Sequence, residues 1–257
     1  MEGISGIVLP EQLRRAEPFY EEGRRLLSQE VKTVVESLVQ AGADEIIVKD
    51  AHGTGFNLLI ETLHPKARYL LGATPIDRRF AGLDATFDGA LLIGYHAMWG
   101  TSFAVRDHTM TATSWQTVSL NGSAVGEIAL DSLLFGLYGV PVLLVSGDDK
   151  ACVEAQQVLP GVAVYETKVG FGRHAAVIKP PLFVHSESEL PRAIFDAIAT
   201  RREREPLTLK GPYELEIRYA STDVADARYY DGIHAIRRDG QSVVYKENDL
   251  LSLLSHM

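Results

Sequence analysis

Apolar runs that stop abruptly at polar turns, with helix-period stretches between them, constrain this chain more than any other feature. Glu45-Ile46-Ile47-Val48, Tyr69-Leu70-Leu71-Gly72, Ala90-Leu91-Leu92-Ile93-Gly94-Tyr95, residues 140–145 and residues 162–169 read as strands. Their apolarity is largely continuous rather than alternating, which predicts inner strands covered on both faces. Leu26, Leu27, Val31, Val34, Val35, Leu38 and Val39 recur at helical spacing within residues 11–40, and Ala41-Gly42 ends the pattern. Further helices are predicted over 127–138, 150–159 and 189–204. Strands alternating with helices at this spacing indicate an α/β fold, a mostly parallel sheet with helices on both faces. Two other segments differ in texture. Residues 111–118 alternate weakly and Asn121-Gly122 signals a hairpin with Ala124-Val125, while 213–219 alternates as an exposed-edge strand and 242–245 offers another.

With 257 residues the chain makes one large domain or two small ones, and it needs no covalent staples to hold a core. The lone Cys152 precludes an intramolecular disulfide and suggests a reducing, cytoplasmic setting. A net charge of −9 argues against nucleic acid or an anionic membrane as the main partner, but not against a metal cation. No apolar run approaches a membrane span. A P-loop and a G-x-S-x-G elbow are absent, and Gly170-Phe171-Gly172-Arg173 lacks the strand–turn–helix context of a dinucleotide fingerprint.

In open α/β sheets, ligands bind at the carboxyl ends of strands. His52 and His96 both stand at such ends. One histidine there is commonly structural; two raise the prospect of a metal site, since neutral imidazole is a frequent ligand. Glu127 opens a predicted helix, where it serves either the helix dipole or a cation. Glu2 is a solvated terminal residue or a further carboxylate ligand. Histidines with carboxylates suit Zn²⁺ and tolerate Mn²⁺ or Co²⁺. His108, beside Asp107 in a loop, is a general acid or base or simply part of a surface ion pair. His64, His174, His185, His234 and His256 join no constellation, and Cys152 reads as a small core residue.

Taken in order, Met1-Glu2-Gly3-Ile4-Ser5-Gly6, Asp50-Ala51-His52, Gly94-Tyr95-His96-Ala97, His108-Thr109-Met110, Val125-Gly126-Glu127 and Gly147-Asp148-Asp149 resemble the zinc-dependent D-aminopeptidases of the DppA type. Leu63-His64-Pro65 and Lys168 with Arg173 add to the likeness, which thins after about residue 185. The resemblance implies a binuclear zinc site with Glu2, His52, His96 and Glu127 as ligands and His108 as the catalytic histidine. It implies release of N-terminal, D-configured residues from short peptides, and a large homo-oligomer, with a ring-like decamer among the candidates. Rival readings are a related metallo-amidohydrolase, an L-aminopeptidase, or a non-catalytic peptide-binding or assembly protein.

In the family's motif, Asp-x-Glu-Gly, the aspartate bridges the metals at the end of the first strand. Here Met1 stands at the x, so that aspartate and its strand fall before residue 1. A start at an internal methionine is the expected reason, with a divergent member as the alternative; fewer than two zinc ions would then bind. Residues 1–180 are expected to form the metal-binding catalytic domain, and 181–257 a smaller α+β subdomain or oligomerisation arm.

Overall fold

The computed structural model describes residues 1–180 and 189–257. His185 therefore lies outside the described residues. A long helix, α1 (Tyr20–Gln40), precedes a short parallel pair, β1 (Ile47–Lys49) and β2 (Arg68–Leu70). The helix begins at Tyr20 rather than earlier in 11–40 because Pro18 disfavours helical geometry at Glu17. A second sheet runs in the order β3 (Ala90–Tyr95), β6 (Val142–Asp148), β7 (Ala163–Gly172) and β8 (Ala175–Ile178). Its first three strands are parallel, and β8 returns antiparallel to β7. Helix α2 (Glu127–Gly136) and helix α3 (Asp149–Val158) cover one face through Ile128, Phe135, Ala151 and Ala155. Helices α1 and α4 (Glu189–Ala199) cover the other, where Val34, Leu190 and Ile194 meet Leu143, Leu144 and Tyr165. Every residue of β6 is buried, as its continuous apolar run requires.

The third sheet is antiparallel and is assembled from distant segments. Strands β4 (Trp115–Leu120) and β5 (Ser123–Ala124) form the hairpin signalled by Asn121-Gly122. Strand β9 (Tyr213–Tyr219) pairs with β4 on one side and with β11 (Ser242–Glu247) on the other, and β10 (Ala235–Arg237) closes that end. Strand β9 is therefore central, not the exposed edge its alternation suggested; alternation reports two unlike faces, not the number of neighbours. The core of this layer joins Trp115, Val118 and Leu120 to Leu215, Ile217, Tyr219, Leu253 and Leu254. Two short helices, α5 (Thr222–Asp226) and α6 (Leu250–Leu254), are capped by Ser221 and Asp249. The segment after 188 is thus shared: α4 lies on the parallel sheet, whereas 213–257 builds the antiparallel one. Among the described residues, no helix is long and apolar enough to cross a membrane.

Strands β1 and β3 do not pair with each other. Between them lies a cavity of about 1020 Å³, lined by Ile47 and Val48 on one side and Leu91 and Ile93 on the other, and it reaches Glu2, His52 and His96.

Residues 1–7 are held at the end of the parallel sheet by buried polar groups. Lys168 on β7 is fully buried, and its Nζ donates to the carbonyls of Glu2 at 2.7 Å, Ile4 at 2.8 Å and Ile7. Glu30 on α1 accepts from the Ser5 amide at 3.1 Å. Burial pushes the Glu30 carboxyl up to about 7, despite that bond and the charge of Lys168. Burial likewise lowers the Lys168 ammonium to about 8, against the opposing pull of Glu30, Asp148 and Glu2. Since Glu30 is raised above its ordinary 4.5, its contribution to stability is complete below that pH and is lost as pH rises through about 7. Glu30→Gln should therefore lose less stability than the unmodified chain between pH 4.5 and 7.5. Urea midpoints across that range test this; parallel curves would show that Glu30 does not titrate in the window.

Candidate metal centre

Strand ends and two loops deliver the candidate side chains to one end of the cavity. His96 directly follows β3, and His52 follows β1 in a loop organised by Asp50. The Asp50 carboxylate accepts from the amides of His52, Asn57 and Leu58 and from Asn57 Nδ2, which in turn also donates to the His52 carbonyl at 2.7 Å. Five bonds thus fix a loop that sequence alone marks only as Asp50-Ala51-His52. Glu2 arrives from the terminal segment. Gly3 beside it donates its amide to the Gly94 carbonyl at 3.0 Å, and a Cβ there would stand 1.9 Å from the Tyr95 carbonyl oxygen. Only glycine permits that approach. Glu127 is the first residue of α2, where its charge also suits the helix dipole.

The loop carrying His108 is held under strain. Phe103, Arg106 and Met110 all have positive φ, at 61°, 58° and 62°. Such non-glycine conformations cost about 1–3 kcal/mol each and persist where surrounding bonds over-determine them. Those bonds are present: Asp148 accepts from the Val105 amide at 2.7 Å, Asp107 accepts from the Gly100 amide at 2.8 Å and pairs with Arg173, and Glu127 accepts from the Met110 amide at 2.8 Å.

His96, His108 and Glu127 converge, with one potential ligand atom from each lying within 4.8 Å of the others. The imidazoles of His96 and His108 stack with centroids 3.9 Å apart. Each directs Nδ1 at a carbonyl: His96 at Ala97 O, 3.1 Å away, and His108 at Arg106 O, 2.8 Å away. A carbonyl can only accept, so Nδ1 of each ring carries a hydrogen, which leaves Nε2 as the nitrogen a metal would take in place of a proton. Both Nε2 atoms face Glu127 Oε1, at 3.3 Å from His96 and 3.6 Å from His108. Alongside, His52 Nε2 lies 3.2 Å from Glu2 Oε1, and its buried Nδ1 has no partner.

Charge in the cluster is tightly coupled. Burial resists ionisation of Glu2, but the adjacent amine and the histidines hold it well below the usual carboxylate range. Glu127 is likewise lowered, since His96, His108 and Arg79 outweigh the cost of enclosure. Burial disfavours the His96 imidazolium, yet its contact with Glu127 raises it to about 9. Burial and the neighbouring His96 charge lower His108, leaving it neutral. Behind Glu127, the Asp131 carboxylate accepts from Arg79 Nε at 2.6 Å, from its terminal nitrogen at 3.0 Å and from the Tyr95 hydroxyl at 2.6 Å. Glu154 accepts from the Met98 amide at 2.7 Å, while its other oxygen is buried without a partner beside Gly126.

These donors fit zinc. Ligand atoms at the ~2.0–2.2 Å of Zn–N and Zn–O bonds, disposed tetrahedrally, stand about 3.3–3.6 Å apart. The His96–Glu127 and His52–Glu2 separations of 3.3 and 3.2 Å match neighbours around one ion. The set is nitrogen and oxygen only, with the Nε2 atoms already turned toward the carboxylates.

All five side chains singled out in the sequence line this cavity. Arg79, Arg106, Asp131, Glu154 and Lys168 were not predicted, although Lys168 belonged to the likeness. Nothing in local spacing marks them, because each acts across more than fifty residues or from a strained loop. His174 does acquire a partner, accepting from Arg106 at 3.0 Å, and His64 Nδ1 accepts from the Lys66 amide in its turn.

Comparison with known proteins places this geometry. A family model described as D-aminopeptidase matches residues 1–257. A D-aminopeptidase of Bacillus subtilis (strain 168) is 31% identical over 258 residues, spanning 100% of this chain and 92% of the relative. The solved structure of the Zn-dependent D-aminopeptidase DppA from Bacillus subtilis, described as a self-compartmentalizing protease, superposes with a TM-score of 0.88 at 29% identity. It covers 100% of this chain and 92% of that one.

Proposed function

Because the chain belongs to the D-aminopeptidase family, it is a metal-dependent aminopeptidase, and we propose that it releases D-configured N-terminal residues from short peptides at a zinc centre held by Glu2, His52, His96 and Glu127. The observation carrying this reading is the convergence of His96, His108 and Glu127, with both imidazole Nε2 atoms turned toward one carboxylate. Zinc bound here would supply Lewis acidity toward the peptide carbonyl and the attacking water.

The chain's own residues supply the rest. Glu2 and Glu127 give the two negative charges that a dication needs, and His52 and His96 give neutral nitrogen donors. His108 is held in one tautomer by the Arg106 carbonyl, so its Nε2 can take a proton from the attacking water and return it to the leaving amine. Burial works against a charge on this ring, which favours the neutral form that can accept a proton. A free substrate amine is a cation, and the carboxylates of this end of the cavity would favour it. We further propose that the chain assembles with copies of itself. The exposed apolar side chains of Phe103, Phe171 and Val177 suit burial in such a contact.

The zinc-loaded protein should release D-alanine from D-Ala-D-Ala, chelation should stop it, and N-acetylation of the substrate should block it by removing the cation. Chromatographic quantification of free D-alanine, with matched L-peptides at equal zinc loading, checks this. Preference for L-peptides would remove the D assignment; cleavage of acetylated peptides would remove the exopeptidase reading.

A further inference from the structure

Arg106 is a buried cation that no anion contacts directly; Glu2 and Asp107 favour its charge only from beyond ion-pair distance. It is 8% exposed, and among the described residues it forms no ion pair. One terminal nitrogen donates to His174 Nε2 at 3.0 Å, a neutral acceptor, and its own Nε is buried without a partner. The adjacent Arg173 shows the contrast. Its guanidinium takes both the carboxylate and the carbonyl of Asp107, the acid next in sequence to Arg106. Desolvation works against the Arg106 charge, and so does the proximity of Arg173; together they outweigh the pull of Glu2 and Asp107.

Position is fixed as firmly as charge. Arg106 has a left-handed backbone, its amide donates to the Arg173 carbonyl at 3.3 Å, and its own carbonyl orients the His108 ring. The side chain lines the cavity that also contains Glu2, His52, His96 and His108. Other cations on that cavity are accounted for. Arg79 is paired with Asp131, Arg201 faces Asp88 at 3.7 Å, Lys49 donates to the Gly72 carbonyl at 2.6 Å, and Arg14 is exposed. Arg106 alone among these is both buried and without a charged partner.

A guanidinium taken out of water calls for an anion, and its fork of donors matches a carboxylate. A short unblocked peptide brings one cation and one anion. The cation suits the acidic end of the cavity. We infer that Arg106 binds the terminal carboxylate of the peptide, so that a free C-terminus close to the scissile bond becomes a determinant of specificity. This inference rests on the peptidase reading above. It gives the site a second charge to recognise, and it excludes long chains chemically, independently of any barrier imposed by assembly.

The test compares D-Ala-D-Ala with D-Ala-D-Ala amide on the zinc-loaded protein, which differ at the terminal carboxylate alone. The free acid should be preferred about 10- to 100-fold in kcat/KM, the range expected for hydrogen bonds to a charged group. Arg106→Met should bring the ratio to within about 3-fold, chiefly through a higher KM for the acid, and Arg106→Lys should restore part of it by returning charge without the fork. Inhibition by free D-alanine should weaken in the Met variant. Zinc content and thermal midpoint are measured on each variant, because a folding or metal-loading defect would lower both substrates together. Equal losses on acid and amide, or an unmodified protein indifferent to the carboxylate, would overturn the inference. An unmodified, zinc-bound protein inactive on both substrates would instead overturn the peptidase reading, and this inference with it.

Discussion

Replacing His96 by alanine is expected to abolish zinc retention and turnover together, whereas His108→Ala should keep zinc and lose turnover by about 10²- to 10⁴-fold, the usual worth of a positioned general acid or base. Both rings stack, and both aim Nε2 at Glu127 Oε1, so proximity does not separate their roles. Their supports do. His96 is buried and directly follows β3, a fixed strand end, while His108 stands on a loop with three left-handed residues. Elemental analysis after dialysis, alongside D-alanine release, distinguishes the two. Equal zinc loss in both variants would make His108 a ligand and leave the proton transfer to another group. Glu127→Gln should follow His96→Ala, because the neutral amide keeps the shape but not the charge that a dication requires.

Lys168→Met is expected to be the most destabilising single change among the buried polar positions, by about 3–5 kcal/mol, the range for removing one partner from a buried charged network. It would strip a donor from the carbonyls of Glu2, Ile4 and Ile7 and leave Glu30 buried without its cation. Adjacent Thr167 would still donate to the Gly3 carbonyl at 2.6 Å, so the segment should loosen rather than detach. Zinc affinity should therefore fall as well, through Glu2. Urea denaturation reports the first effect and zinc titration the second. The double variant Lys168→Met with Glu30→Gln should recover part of the stability by removing the stranded carboxylate. Unchanged zinc affinity in a destabilised Lys168→Met would show that Glu2 is placed by Gly3 and Thr167 alone.

Much of the parallel layer was legible because burial on both faces writes itself into local sequence. Residues 140–145 and 162–169 became β6 and β7, and the Asn121-Gly122 hairpin formed between β4 and β5. Strand β8 was missed: Ala175–Ile178 is a mostly exposed edge with little apolar pattern to announce it. Helix α6 was missed because five residues are too short for a helical period to register. The rank of β9 within its sheet was also unreadable, since its partners Trp115–Leu120 and Ser242–Glu247 lie on opposite sides of it in sequence.

For the site, the sequence by itself determined the chemical types and their stations: histidines where apolar strands end, a carboxylate opening a helix, and glycine next to Glu2. Strand ends and helix starts are local events, so their positions survive in one dimension. Only the tertiary structure decided which of these groups meet. Glu127 reaches His96 and His108 because α2 begins beside the end of β3 and a loop with three left-handed residues folds back between them. The groups that tune the site, Arg79 with Asp131 and Lys168 with Glu30, act across 52 residues in the first pair and 138 in the second. Arg106 shows the limit most plainly. A charged residue in a polar loop looks solvated in sequence, and only the packing of that loop against Asp148 and Arg173 removes it from water and turns it toward the cavity. Desolvation is a property of the assembled surroundings, and no pattern of neighbours along the chain encodes it.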